Sequence, residues 1–409
     1  MEGSLTLLAA LIALLAGLAI GKAWERYKLK DGRWVDRRRG RESPHYILGL
    51  NFLVASQIDP AIDELTKAAE LAGDPLEIRL ILGNLYREKG QVGRAIQEHQ
   101  SLLQRANLRK LEHASVLLCL GLDYRHGGFV DRALEAFTEV VRLDPDNRYA
   151  LSNLEKLYEE QHQWQEAYAT RQKLARLDTA ELQGRHQTIL AFLENEIGTQ
   201  ALKRMDYAEA ARRFQAAVEL DPANPPAHLN LGDVRFLLGD PAAAVAAWEQ
   251  LVDRAPDRAY LTFARLEGAY AGSGEEDANR FADLCRRLIA ANPQDWRARL
   301  ALGRYLSSHG APREALDLLL QAVTQNPHAL ALHQATWQVL SRLAFPPALV
   351  NDYVDLTRDA IFYLDPHICV RCRYRSTELL WQCPHCHEWN TFVEERIAPA
   401  KDTEATLSN

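Results

Sequence analysis

From Pro44 to about residue 330 the apolar positions fall at helical spacing, in paired stretches broken by Gly, Pro, Asp and Asn, and the pairs repeat. The clearest unit, Ala114–Asp146, carries Leu120-Gly121, Tyr124, Ala133, Phe137 and Pro145. The same frame returns in Pro225–Asp257 as Leu231-Gly232, Ala244, Trp248 and Pro256. It returns in Trp296–His328 as Leu302-Gly303, Ala315, Leu319, Ala322 and Pro327. Residues 191–224 give Gly198, Ala210, Phe214, Ala217 and Pro222. Leu48-Gly49 with Ala61, and Leu82-Gly83 with Ala95, open the series. One spacing separates Gly49 from Gly83, Gly121 from Glu155, Gly198 from Gly232 and Ala269 from Gly303, and longer steps separate these pairs from one another. Units starting near residues 148 and 262 are degenerate.

This is the tetratricopeptide pattern, two antiparallel helices in each period of about 34 residues. Small residues at the Gly and Ala positions let the first helix of a unit approach the second. Tyr, Phe or Trp fills the gap left between stacked pairs, and Pro ends the second helix. One unit cannot bury its own apolar face, so its neighbours complete the core. Such arrays bind peptides or proteins on a concave face and are seldom enzymes. Asn84, Arg87, Arg125, Asp233 and Arg304 fall on the helix face expected to line that groove.

A different pattern opens the chain. Leu5 to Ile20 is uncharged and almost wholly apolar. As a helix this run spans roughly 24 Å, and continuation to Trp24 gives about 30 Å, one hydrocarbon thickness. Residues 22–41 then hold nine Lys/Arg against three acids, a net +6 in a chain of net charge −7. Only Glu2 is charged before the run, which disfavours a cleaved leader. The expectation is a retained membrane helix, with the basic flank and everything after it in the cytoplasm. Ala9, Ala13, Gly17 and Gly21 make one face of that helix small, a stripe suited to another membrane helix.

The acidic remainder excludes a nucleic-acid protein by charge, and Arg37-Arg38-Arg39 beside a membrane helix reads as a topology determinant. The six cysteines are too few for a disulfide scaffold. Cys119 and Cys285 stand alone in helical patterns and read as buried thiols. The other four form two C-x2-C knuckles, Cys369/Cys372 and Cys383/Cys386, ten residues apart. That spacing suits a closed four-thiolate site for zinc or iron. His367, His385 and His387 are substitute ligands by type only, and Leu379-Leu380-Trp381 reads as a strand feeding the second knuckle. The ion supplies folding energy to a module too small for a core of its own. No HExxH, phosphate-binding loop or GxSxG is present.

The expected fold is therefore an all-α tetratricopeptide-repeat solenoid with an N-terminal transmembrane helix and a small C-terminal rubredoxin-like, zinc-ribbon metal module. Its parts are an anchor at 1–24, a basic juxtamembrane segment at 25–43, repeats at 44–345, a linking helix at 346–365, the metal module at 366–395 and a tail at 396–409.

The order of these parts resembles the lipopolysaccharide assembly protein B family of Gram-negative bacteria. The stretch from Cys369-Val-Arg-Cys372 through Trp381-Gln-Cys383-Pro-His-Cys386-His-Glu-Trp389 looks like that family's rubredoxin-type module. The resemblance implies the four cysteines as iron or zinc ligands. It also implies a single-pass inner-membrane adaptor, not an enzyme, with the bulk of the chain cytoplasmic. Such an adaptor promotes degradation of the lipid A deacetylase LpxC by the FtsH protease and is antagonised by a membrane protein of the YejM/PbgA type. Arg373 and His387 stand where rubredoxin knuckles favour Gly, so a left-handed turn there is less comfortable. The ten-residue gap, short for an electron-transfer rubredoxin, speaks against redox activity.

Overall fold

The computed structural model describes residues 43–271, 279–343 and 367–394. The expected membrane helix with Ala9, Ala13, Gly17 and Gly21, the basic segment, the linking helix and the tail lie outside these residues. Among the described residues no helix is long and apolar enough to cross a membrane.

The chain divides into two compact units, residues 1–161 and 162–409. The first contains α1 (Pro44–Val54), α2 (Ile58–Leu71), α3 (Leu76–Glu88), α4 (Val92–Leu103), α5 (Lys110–His126), α6 (Val130–Leu143) and α7 (Arg148–Glu160). The second contains α8 (Trp164–Leu177), α9 (Gln183–Lys203), α10 (Tyr207–Leu220), α11 (Pro225–Leu237), α12 (Pro241–Arg254), α13 (Phe263–Ala271), α14 (Arg280–Ala291), α15 (Trp296–Ser308), α16 (Pro312–Gln325) and α17 (Leu330–Leu340). A 3-10 turn, Pro256–Thr262, precedes α13. Each unit is a stack of helical hairpins, as the tetratricopeptide pattern requires.

The hairpins close on one recurring device. Gly49, Gly83, Gly121, Gly198, Gly232 and Gly303 each face the side chain sixteen positions on: Leu65, His99, Phe137, Phe214, Trp248 and Leu319. A Cβ added at Gly121 would sit 2.7 Å from the Phe137 ring, and one at Gly198 would sit 2.6 Å from the Phe214 ring. The missing side chain is the socket, and the residue from the second helix is the knob. The aromatic residues Phe137, Phe214 and Trp248 thus fill a gap inside their own hairpin, not between stacked pairs as the sequence suggests. Only a residue with no Cβ lets a ring come so near the first helix. Tyr124 does join neighbouring hairpins, its hydroxyl accepting from Gln100 Nε2 at 2.9 Å.

The degenerate unit near 262 keeps the frame with Ala269 in the Gly position. Cys285, sixteen positions on, is fully buried in the core, and burial pushes its thiol up to about 12, so it is an inert knob. Cys119 is only half-buried, not the buried thiol expected, and it lies beside the His99 ring.

Helices change direction over left-handed residues: Gly90, Gly128, Gly239 and Gly310 have φ of 75–83°, while Ser56 and Met205 take the same role without glycine. Pro145, Pro222 and Pro327 stand two positions past the ends of α6, α10 and α16, as expected for residues that cannot prolong a helix.

Candidate metal centre

Residues 367–394 form a three-stranded antiparallel sheet in the order β2-β1-β3, with β1 at His367–Cys369, β2 at Arg375–Ser376 and β3 at Phe392–Glu394. Leu379-Leu380-Trp381 is not a strand. Leu379 and Leu380 pack against the cysteine cluster and Trp381 tilts over Phe192, so their apolar character serves packing instead of pairing.

The two knuckles are built alike. In the first, the Arg373 N–H donates to the Cys369 carbonyl at 2.9 Å and the Cys369 N–H to the Tyr374 carbonyl at 2.9 Å. In the second, the His387 N–H donates to the Cys383 carbonyl at 2.8 Å and the Cys383 N–H to the Glu388 carbonyl at 2.9 Å. Arg373 and His387, at φ 64° and 55°, occupy the left-handed position where glycine is usual. The sequence foresaw the requirement, and the chain meets it with side chains that carry strain there.

This pair of turns brings Cys369, Cys372, Cys383 and Cys386 together, all four sulfurs within 4.8 Å of one another. Cys369 Sγ lies 3.7 Å from Cys386 Sγ, and Cys372 Sγ lies 3.5 Å from Cys383 Sγ. A tetrahedron of thiolates about 2.3 Å from a metal has edges of about 3.8 Å, whereas a disulfide bond is about 2.05 Å. The spacing fits one ion shared by four sulfurs, and the donor set suits zinc or iron. His367, His385 and His387 stand outside the cluster.

The sulfurs are not equivalent. Burial resists a charge on Cys369, but the Thr391 hydroxyl and the Cys372 and Arg371 N–H groups outweigh it and bring the thiol down to about 6. Burial and the neighbouring sulfurs push Cys386 up to about 12, and burial raises Cys372. Cys369 thus gives up its proton more readily than Cys372 and Cys386, whose deprotonation a bound cation would favour.

The module is not free-standing. Trp389 stacks on Phe192 of α9, centroids 5.3 Å apart and planes 21° from parallel, and meets Trp164 of α8 edge-on at 6.2 Å. Arg185 reaches Glu388 at 3.3 Å, Arg258 donates to the Phe392 carbonyl at 3.0 Å, and Arg297 pairs with Glu394 at 3.0 Å. Glu388 and Trp389 follow the last ligand, Cys386, so the turn that holds the ion also aims the groups that dock. Sequence reasoning gave Trp389 no role. Its signal was an acid-aromatic pair set directly after a metal knuckle.

The expected groove residues are largely engaged within the array. Arg87 bonds Asn84 at 2.9 Å and Asp123 of the next hairpin at 2.7 Å. Arg125 donates to Asn153 and Glu160 at 2.8 and 2.9 Å. Asp233 takes both branches of the Arg265 guanidinium at 2.6 and 2.7 Å. Arg304 alone of the five is exposed.

Comparison with known proteins agrees with this architecture. A rubredoxin metal binding domain model of the LapB type matches residues 367–394, and two tetratricopeptide repeat models match 201–266 and 282–329. The chain is similar to lipopolysaccharide assembly protein B of Escherichia coli K12, 23% identical over 93% of this chain and 97% of the relative. It is similar to the protein of that name from Haemophilus influenzae, 25% identical over 96% and 99%. A solved tetratricopeptide repeat protein from Parabacteroides merdae aligns at 15% identity and TM-score 0.32 over 71% of this chain and 96% of that one. The likeness to lipopolysaccharide assembly protein B thus takes in nearly the whole chain, the metal module included.

Proposed function

We propose that this chain, a relative of lipopolysaccharide assembly protein B along nearly its whole length, is a membrane-anchored adaptor that limits lipopolysaccharide synthesis. The observation that carries the proposal is coverage: relatives of that name match 93–96% of the chain, and the metal module is matched separately in their form. A scaffold of helical hairpins with a structural ion suits an adaptor, since both parts present surfaces. In this reading the N-terminal segment anchors the chain in the inner membrane with the array in the cytoplasm. The array brings the LpxC deacetylase to the FtsH protease, a YejM/PbgA-type protein restrains it, and the Ala9, Ala13, Gly17, Gly21 stripe packs against another inner-membrane helix.

Depletion of the protein with LpxC followed by immunoblot tests this. LpxC should accumulate, and only while FtsH is active. A constant LpxC level on depletion, with other inner-membrane assemblies falling apart, would point to a general scaffold.

A further inference from the structure

The outer face of α1 is built for an apolar partner. In this helix Val54 is 85% exposed, Ile47 54%, Leu48 42% and Leu53 39%. Ile47, Asn51 and Val54 stand at i, i+4 and i+7, with Leu48 beside them, so they form one stripe. The helix contains no Asp, Glu, Lys or Arg. Part of the exposure comes from position, since no hairpin stacks before α1 among the described residues: Leu82, one repeat on from Leu48, is buried under its neighbours. That does not explain the last turn. Where α3 ends in Arg87-Glu88 and α5 in Arg125-His126, α1 ends in Leu53-Val54. The place of Val54 on the stripe is held by Glu88 and His126 in the next two hairpins, both polar, and is apolar in this one.

We infer that the α1 stripe lies in the interface of an anionic bilayer, at the boundary of headgroups and acyl chains. The inference rests on the anchored reading above. The chain leading into α1 is the net +6 segment 22–41, which ends just before Pro44. An apolar helical face next to a basic run is the composition of an interfacial helix, in which the face enters the acyl boundary and the cations meet the headgroups. A second copy fits less well. A helix as short as α1 spans only about 16 Å, too little for the roughly 800 Å² per partner of a stable interface, and a two-fold contact would set two basic segments side by side.

The test uses the full chain in vesicles of phosphatidylethanolamine and phosphatidylglycerol, with a photo-crosslinking phenylalanine at Val54. A matched chain carries it at exposed Glu135 on α6. Lipid adducts should form several-fold more at position 54 than at 135. With the crosslinker moved to Ile47, Val54→Glu should cut the adducts several-fold. Adducts to a second copy, or equal lipid labelling at 54 and 135 in chains that float with the vesicles, would overturn the inference. Chains that fail to float would overturn the anchored reading instead, and the interfacial helix with it.

Discussion

His99 and Asp123, from neighbouring hairpins of the first unit, share a fully buried hydrogen bond of 2.5 Å, and Arg87 holds the other carboxylate oxygen at 2.7 Å. His99 is also the knob facing Gly83, the place held by Phe137 and Phe214 elsewhere in the array. A charged network thus replaces a ring where two hairpins meet.

This bond makes the first unit sensitive to alkali. Burial alone would strip the His99 proton, but Asp123 and the Cys119 thiol outweigh it and hold the imidazole up to about 9, against 6.5 when unfolded. A raised folded value means that the stabilisation is complete below pH 6.5 and is lost as pH climbs to 9. The loss is about 3 kcal/mol. Denaturant midpoints of the first unit at pH 6 and 9 measure it, and His99→Phe should flatten the difference. An equal fall in that variant would show that another group titrates.

Gly121→Leu should lower the thermal midpoint, because overpacking a tight contact costs about 1–3 kcal/mol and the Phe137 ring already fills the socket. Gly268→Ala should act in the opposite direction. No atom lies within 4 Å of a Cβ added there, and Ala exceeds Gly in a helix by about 0.8–1 kcal/mol. Two shifts of the same sign would mean that the socket does not govern stability.

Cys383→Ser should abolish stoichiometric metal, read by elemental analysis, and speed amide exchange across residues 367–394. Losing one of four thiolates opens the shell, and metal binding is coupled to folding in so small a module. A variant that keeps one ion per chain would remove Cys383 from the ligand set.

Trp389→Ala should free the module while sparing the ion. Each aromatic pair contributes about 0.5–1.5 kcal/mol beyond the area it covers, and Trp389 makes two, with Phe192 and Trp164. Amide exchange should rise in 367–394 and around Phe192 at unchanged metal content. Rates matching the parent chain would show that Arg258 and Arg297 suffice to dock the module.

What was legible in the sequence is what is local. The repeat frame, the Gly positions and the four ligands each depend on neighbours within one hairpin or one knuckle. The left-handed turn at Arg373 and His387 belongs to the same class. What escaped depends on separation. Nothing near Arg87 in sequence announces Asp123, and nothing near Asp233 announces Arg265, so their helix face was legible while their partners were not. Trp381 has the composition of a strand because its run is apolar, while its partner Phe192 comes from a distant helix. Periodicity gives a knob's face and not the depth of the opposing socket, so it points to the gap between hairpins instead of the socket within one.

The separation of these contacts also orders events during synthesis. A knob follows its glycine by sixteen positions, so each hairpin can lock as soon as its second helix leaves the ribosome. Trp389 is made long after Phe192, when nearly all of the array already exists. Until then Phe192 and Trp164 lack the indole that covers them. A chain terminated before the module would show this bare aromatic surface to chaperones and proteases, and the docked module therefore marks a chain translated past the array.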